Sequence, residues 1–103
     1  MVTVMQVPAS STVRNVTAVH AELLVRLIAE SDLEIDLSQI EEVDLSLPQL
    51  LTSLRVAAAE LGRTVRLRSP APTPVAALLE RAGFLAAATP QDLEFWFHGE
   101  RAQ

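Results

Sequence analysis

Leu33, Ile35 and Leu37 alternate with Glu34, Asp36 and Ser38, a period of two that predicts a strand with one apolar face. After an acidic bend, Gln39 to Asp44, the period changes. Leu47, Leu50, Leu51, Leu54, Ala58 and Leu61 fall on one stripe of a helix beginning at Ser46 or Leu47, and Gly62 closes it. Val65 and Leu67 then point one way from a second strand, with Thr64, Arg66 and Arg68 the other way. Strand, helix and parallel strand make a βαβ unit, whose right-handed crossover sets Leu33–Leu37 beside Val65–Arg68. Glu34 and Asp36 then share a sheet face with Arg66 and Arg68, opposite charges on neighbouring strands.

The flanking segments read with the same two periods. Val2 to Val7 is a first strand closed by Pro8, and Ser10 to Arg14 a short second one paired with it as a loose hairpin. Asn15 is placed to cap a helix running through Glu30, with Val16, Val19, Leu23, Leu27 and Ile28 on its buried face and Ser31-Asp32 ending it. Thr73-Pro74 opens a third helix over Val75, Leu78, Leu79 and Ala82, ended by Gly83. Thr89 to Asp92 reads as a turn or short helical start, Leu93 to Phe97 as a final strand, and Gly99 to Gln103 as a frayed tail. The result is one α/β domain over residues 1–98: a mixed, mostly parallel sheet of four to five strands packed with three to four helices.

Composition narrows the class. A chain of 103 residues, 50% hydrophobic and 20% charged, suits one core. The net charge of −5 comes from eight scattered arginines and no lysine against thirteen acids, which argues against a nucleic-acid surface. Without cysteine there is no disulfide, thiol chemistry or thiolate metal site. The start, MVTVMQVP, has no signal-peptide pattern, and no apolar run reaches the ~18 residues of a membrane span, so the expected location is the cytoplasm.

Catalytic constellations are sparse. His20 lies on an amphipathic helix and His98 beside the tail; no phosphate loop, nucleophile elbow or metal spacing occurs, and no cofactor is expected. Glu41, Glu42 and Asp44 read as a solvated acidic turn. Ser46 is the hydroxyl with a defined place. Ser46-Leu47-Pro48-Gln49 matches a capping box with Ser46 as N-cap, and the rival reading of Ser46 is a phosphoacceptor on the positive end of the helix.

The run Ile40-x-x-Val43-Asp44, a small loop, Gln49-Leu50-Leu51, Ala57-Ala58-Ala59, Gly62, a Val-x-Leu strand and Pro70 resembles the STAS domain of anti-sigma-factor antagonists. Leu78-Leu79-x-x-Ala82-Gly83-Phe84 is similar to that family's closing helix. In the family a hydroxyl directly after the loop aspartate accepts a phosphate from a kinase-like anti-sigma factor, which breaks the complex. Here Asp44 matches the aspartate, Leu45 stands at the acceptor position, Ser46 falls on the next small residue and Leu47 replaces the glycine. Asp-Leu-Ser followed by Gln-Leu-Leu resembles the small STAS proteins of bacterial chemotaxis operons.

The resemblance implies a non-enzymatic, cytoplasmic interaction module in bacterial signal transduction, monomeric or weakly dimeric. Its partner would be a histidine-kinase-like protein, the chemotaxis kinase ahead of an anti-sigma factor. The alternative is a STAS subunit bound to the cytoplasmic ATPase of a lipid-transport system. The expected contact residues are Asp44, Leu45, Ser46, Leu47, Gln49 and Val56, with Leu45 either an exposed apolar contact or a buried strand end.

Overall fold

A computed structural model of the chain describes residues 2–29 and 32–99. Strands β1 (Val2–Gln6), β3 (Asp32–Asp36) and β5 (Val65–Leu67) form an all-parallel sheet in the order β1-β3-β5. Helices α1 (Val16–Ala29) and α2 (Ser46–Leu61) are the crossovers between them. A second, two-stranded parallel sheet pairs β2 (Ser10–Ser11) with β4 (Glu42–Val43). Helices α3 (Thr73–Arg81) and α4 (Pro90–Phe97) complete the domain. Five strands and four helices of the described residues thus give the expected α/β class, divided between two sheets.

The central strand β3 anchors the core. Leu33 and Ile35 are fully buried, and they meet Leu23 and Leu27 of α1, Leu47, Leu51 and Leu54 of α2, and Leu79 of α3 in one cluster. Alternation along β3 therefore has the predicted meaning. The register sets Glu34 beside Arg66, and their side chains form an ion pair at 2.9 Å on the outer face. Exposed pairs of this kind contribute about 0–1 kcal/mol, so the pair marks the register more than it holds the sheet. Gly62 closes α2 in the left-handed region at φ 69°. A side chain there would be strained although nothing crowds it.

Several expectations are corrected. Leu93–Phe97 is not a strand. Thr89 and Asp92 form a capping box, the Thr89 hydroxyl accepting from the Asp92 N–H and the Asp92 carboxylate from the Thr89 N–H, with Pro90 in the first turn. Those caps outweigh the β-propensity of Phe95, Trp96 and Phe97, and a helix lets all three reach the core. Ser10–Ser11 forms no hairpin with β1; Pro8 and Ala9 turn the chain away, and the pair runs parallel to β4. Ile28 and Leu61 lie at the outer ends of their helices, 55% and 46% exposed. Asn15 precedes α1, but its side chain is committed to the Thr12 N–H and the Ser10 carbonyl. The expected helix end at Glu30-Ser31 and the tail from residue 100 onward fall outside the described residues.

Contacts within α4 and from it to its neighbours fix its place. Arg55 of α2 reaches Asp92 at 3.2 Å and stacks over Phe95, its guanidinium carbon 4.5 Å from the ring centre. Phe95 and Trp96 meet edge to face with centroids 5.0 Å apart. The Trp96 carbonyl accepts from the Ala71 N–H, and His98 Nε2 lies 2.9 Å from the Leu67 carbonyl. His98 is therefore part of the fold, closing α4 in the left-handed region at φ 54°. Trp96→Ala is expected to lower the unfolding free energy by about 3–5 kcal/mol in urea titration, as for other buried large aromatics. A change below about 1 kcal/mol would mean that α4 adds little to the core.

Candidate functional site

The loop between β4 and α2 lies at the carboxyl-terminal end of the parallel sheet, where open α/β domains place their functional loops. Its geometry is set by Asp44. The Asp44 Oδ1 accepts from the Ser46 N–H at 3.0 Å and from the Ser46 hydroxyl at 2.5 Å, while Oδ2 accepts from the Val13 N–H at 3.0 Å. The Asp44 carbonyl accepts from the Leu47 N–H at 3.2 Å. Asp44 therefore caps α2, its carboxylate lying at the positive end of the helix. Leu45 already has helical backbone angles, φ −59° and ψ −18°.

This corrects the expectation for Ser46. Its hydroxyl is a donor to Asp44 and accepts no helix N–H, so the Ser46–Gln49 capping box does not form. Hydrogen bonds hold the Asp44 carboxyl below the ordinary aspartate value of 3.8, the Ser46 side chain first and the Val13 N–H next, against a smaller opposing effect of burial. The depressed pKa ties loop stability to the ionised form. That contribution is fully present above the ordinary value and falls away as pH drops through the lower folded value.

The expected contact residues separate into two groups. Leu47 is 1% exposed and packs in the core, so it offers no surface. Leu45 is 44% exposed and lines a shallow depression with Val13, Asp44, Ser46 and Gln49. Steps of four, three and four residues carry the same ridge of α2 from Leu45 through Gln49 and Thr52 to Val56, which is 56% exposed. Val13 is 69% exposed and was missed in the sequence because its place depends on the Asp44 bond across 31 residues. The site is thus an apolar pair, Val13 and Leu45, beside the loop that Asp44 holds, with Val56 about three turns farther along the same ridge of α2.

A family model described as "Mlab, STAS domain" matches residues 2–86. The chain belongs to the STAS family. Comparisons with curated proteins and with solved structures returned no significant match. STAS domains are generally non-catalytic protein-interaction modules of the kind found in anti-sigma-factor antagonists. Among the described residues no group of three or more His, Cys, Asp or Glu side chains is placed to hold a metal ion. No helix among them is long and apolar enough to cross a membrane. Helix α4 lies beyond the matched span.

The bonding pattern separates two substitutions at the loop. Asp44→Ala is expected to cost about 0.5–2 kcal/mol near neutral pH, the range for a lost helix cap. The cost should shrink as pH falls from 3.8 through the lower folded value, below which the carboxyl is protonated in the folded wild type as well. Ser46→Asp places a second carboxylate against Asp44 and should destabilise more than Ser46→Ala, which removes a single hydrogen bond of about 0.5–1.5 kcal/mol. Urea titrations of the three variants between acid and neutral pH check this ordering. Equal stability of Ser46→Asp and wild type would show that Asp44 does not hold Ser46.

Proposed function

We propose that this protein is a non-enzymatic docking module that binds a protein partner without a phosphorylation switch at the family position, through Val13, Leu45, Gln49 and Val56. The observation that supports it is the outward side chain of Leu45 at the place where the family's phosphoacceptor hydroxyl would stand. A leucine takes no phosphate. Exposed beside Val13, it is instead an apolar anchor of the kind that forms the centre of protein contacts. Ser46 is a poor substitute acceptor, because its hydroxyl is bonded to Asp44 and a phosphate there would face that carboxylate.

The partner is a cytoplasmic histidine-kinase-like protein of bacterial signalling, the chemotaxis kinase ahead of an anti-sigma factor. A second reading is favoured by the same leucine, since a contact that cannot be switched suits a permanent subunit. In that reading the module sits on the cytoplasmic ATPase of a lipid-transport system. Both partners would meet the same rim.

Affinity capture from the native host, followed by calorimetric titration of the purified partner, separates the two. Leu45→Glu and Val13→Glu should each weaken binding by about 1–3 kcal/mol, with the unfolding transition still cooperative. Wild-type affinity in both variants would move the docking surface elsewhere. Capture of the ATPase alone would replace the kinase reading with the second one.

A further inference from the structure

The outward side of the α1–α2 layer is nearly free of charge. Two successive right-handed crossovers between parallel strands put both helices on one face of the sheet, side by side and pointing the same way. Val16 and Val19 border the same small void as Ser46, Leu47 and Leu50, so the helices also begin level with one another. They carry four charged residues. Glu22 lines the cleft beside β1, and Arg26 lies one turn on along that flank. Arg55 turns to Asp92 on the opposite flank, which leaves Glu60 alone on the outward side. A solvated helix face is ordinarily lined with charges, whereas the cores of protein interfaces are depleted of them. Side-chain size also changes along this face. Its amino-terminal half is small, with Ala18 and Ala21 exposed on α1 and Thr52 on α2. Its carboxyl-terminal half is large and apolar: Val25, Ile28 and Val56 are 62%, 55% and 56% exposed.

We propose that this face packs against the same face of a second copy of this chain. The two copies are related by a two-fold axis that lies between them and crosses α1 at the level of Leu23 and α2 at the level of Leu54. Each helix then lies antiparallel on its counterpart. Val25 meets Ala21 of the other copy, Ile28 meets Ala18, and Val56 meets Thr52, so every large side chain sits over a smaller one. The face is therefore complementary to itself, as an isologous contact requires. Its lack of charge lets two chains of net charge −5 meet without like charges in contact. Glu60 comes to the first turn of the other copy's α2, where the helix dipole favours a carboxylate. Helices of 14 and 16 residues are about 21 and 24 Å long. Lying about 10 Å apart, they offer an area at the low end for specific interfaces, so the association is weak.

Sedimentation equilibrium of the 103-residue chain tests the pairing. A monomer–dimer equilibrium is expected with a dissociation constant between about 10 µM and about 1 mM. Val25→Glu and Ala21→Lys should each weaken the dimer at least about tenfold, because each sets a charge against an apolar counterpart. Mixed in equal amounts, the two variants should associate to within about threefold of wild type, since their opposite charges then face one another between unlike chains. Both positions are exposed, and an unchanged thermal transition confirms that the variants fold. Val13→Glu should leave the dimer intact, because Val13 precedes the helices. That variant separates this contact from the proposed docking surface, with which it shares Val56. A chain that stays monomeric to about 1 mM overturns the pairing. So does a dimer that survives Val25→Glu, one that Val13→Glu abolishes, or an equimolar mixture as monomeric as either variant alone.

Discussion

The Asp44 carboxylate accepts from three donors in two segments that are far apart in sequence, the Val13 N–H and the N–H and hydroxyl of Ser46. Each bond constrains a different part of the functional end. The Ser46 bonds fix where α2 starts and so which leucines of its stripe face β3. The Val13 bond fixes how the β2–α1 connection crosses the loop. Together they leave Leu45 without a core position: Leu47 already fills the space below, 1% exposed, and Leu45 turns outward one residue after the cap. The apolar rim is thus a consequence of where the helix is capped. A carboxylate does this better than a hydroxyl, because its two oxygens serve both segments at once and its charge complements the helix end.

What was legible in the sequence follows from how local each signal is. The alternation of β3, the stripe of α2 from Leu47 to Ala58 and the Gly62 stop are local patterns, and each appears in the structure with its predicted meaning. The Glu34–Arg66 pair was also readable, because a right-handed crossover leaves one register in which both side chains share a face. Leu93–Phe97 misled because aromatic residues favour strands, whereas the Thr89-Pro90-Gln91-Asp92 cap was a local helix signal of greater weight. Within the site, Asp44 and Ser46 both have N-cap chemistry, and spacing alone could not choose between them. The choice rests on the Val13 bond, a tertiary fact. Val13 itself could not be found without it.

The same distinction explains the fate of the remaining polar residues. Asp92 is shared between the Thr89 N–H and Arg55, with bonds that hold its pKa below the usual value, the Thr89 N–H foremost. His98 read only as a residue beside the tail, because the residue it meets, Leu67, lies 31 positions away. Both residues act to seat α4 against α2 and the β5 edge. That seating needs the three aromatics of α4 inside, which is why a short helix of eight residues is stable there. No buried side-chain nitrogen or oxygen is left without a partner among the described residues, so the polar contacts close on themselves.

Helix α4 also serves the sheet, because His98 at its end meets the Leu67 carbonyl at the β5 edge. A parallel sheet of three strands cannot remove its own edges, and each exposed edge residue presents donors and acceptors that a neighbour can satisfy. Among the described residues, α4 and His98 cover the β5 edge, while β1 is a strand without charge or proline. The guard at β5 thus belongs to the same helix whose aromatics complete the core, so edge protection and core packing are one feature.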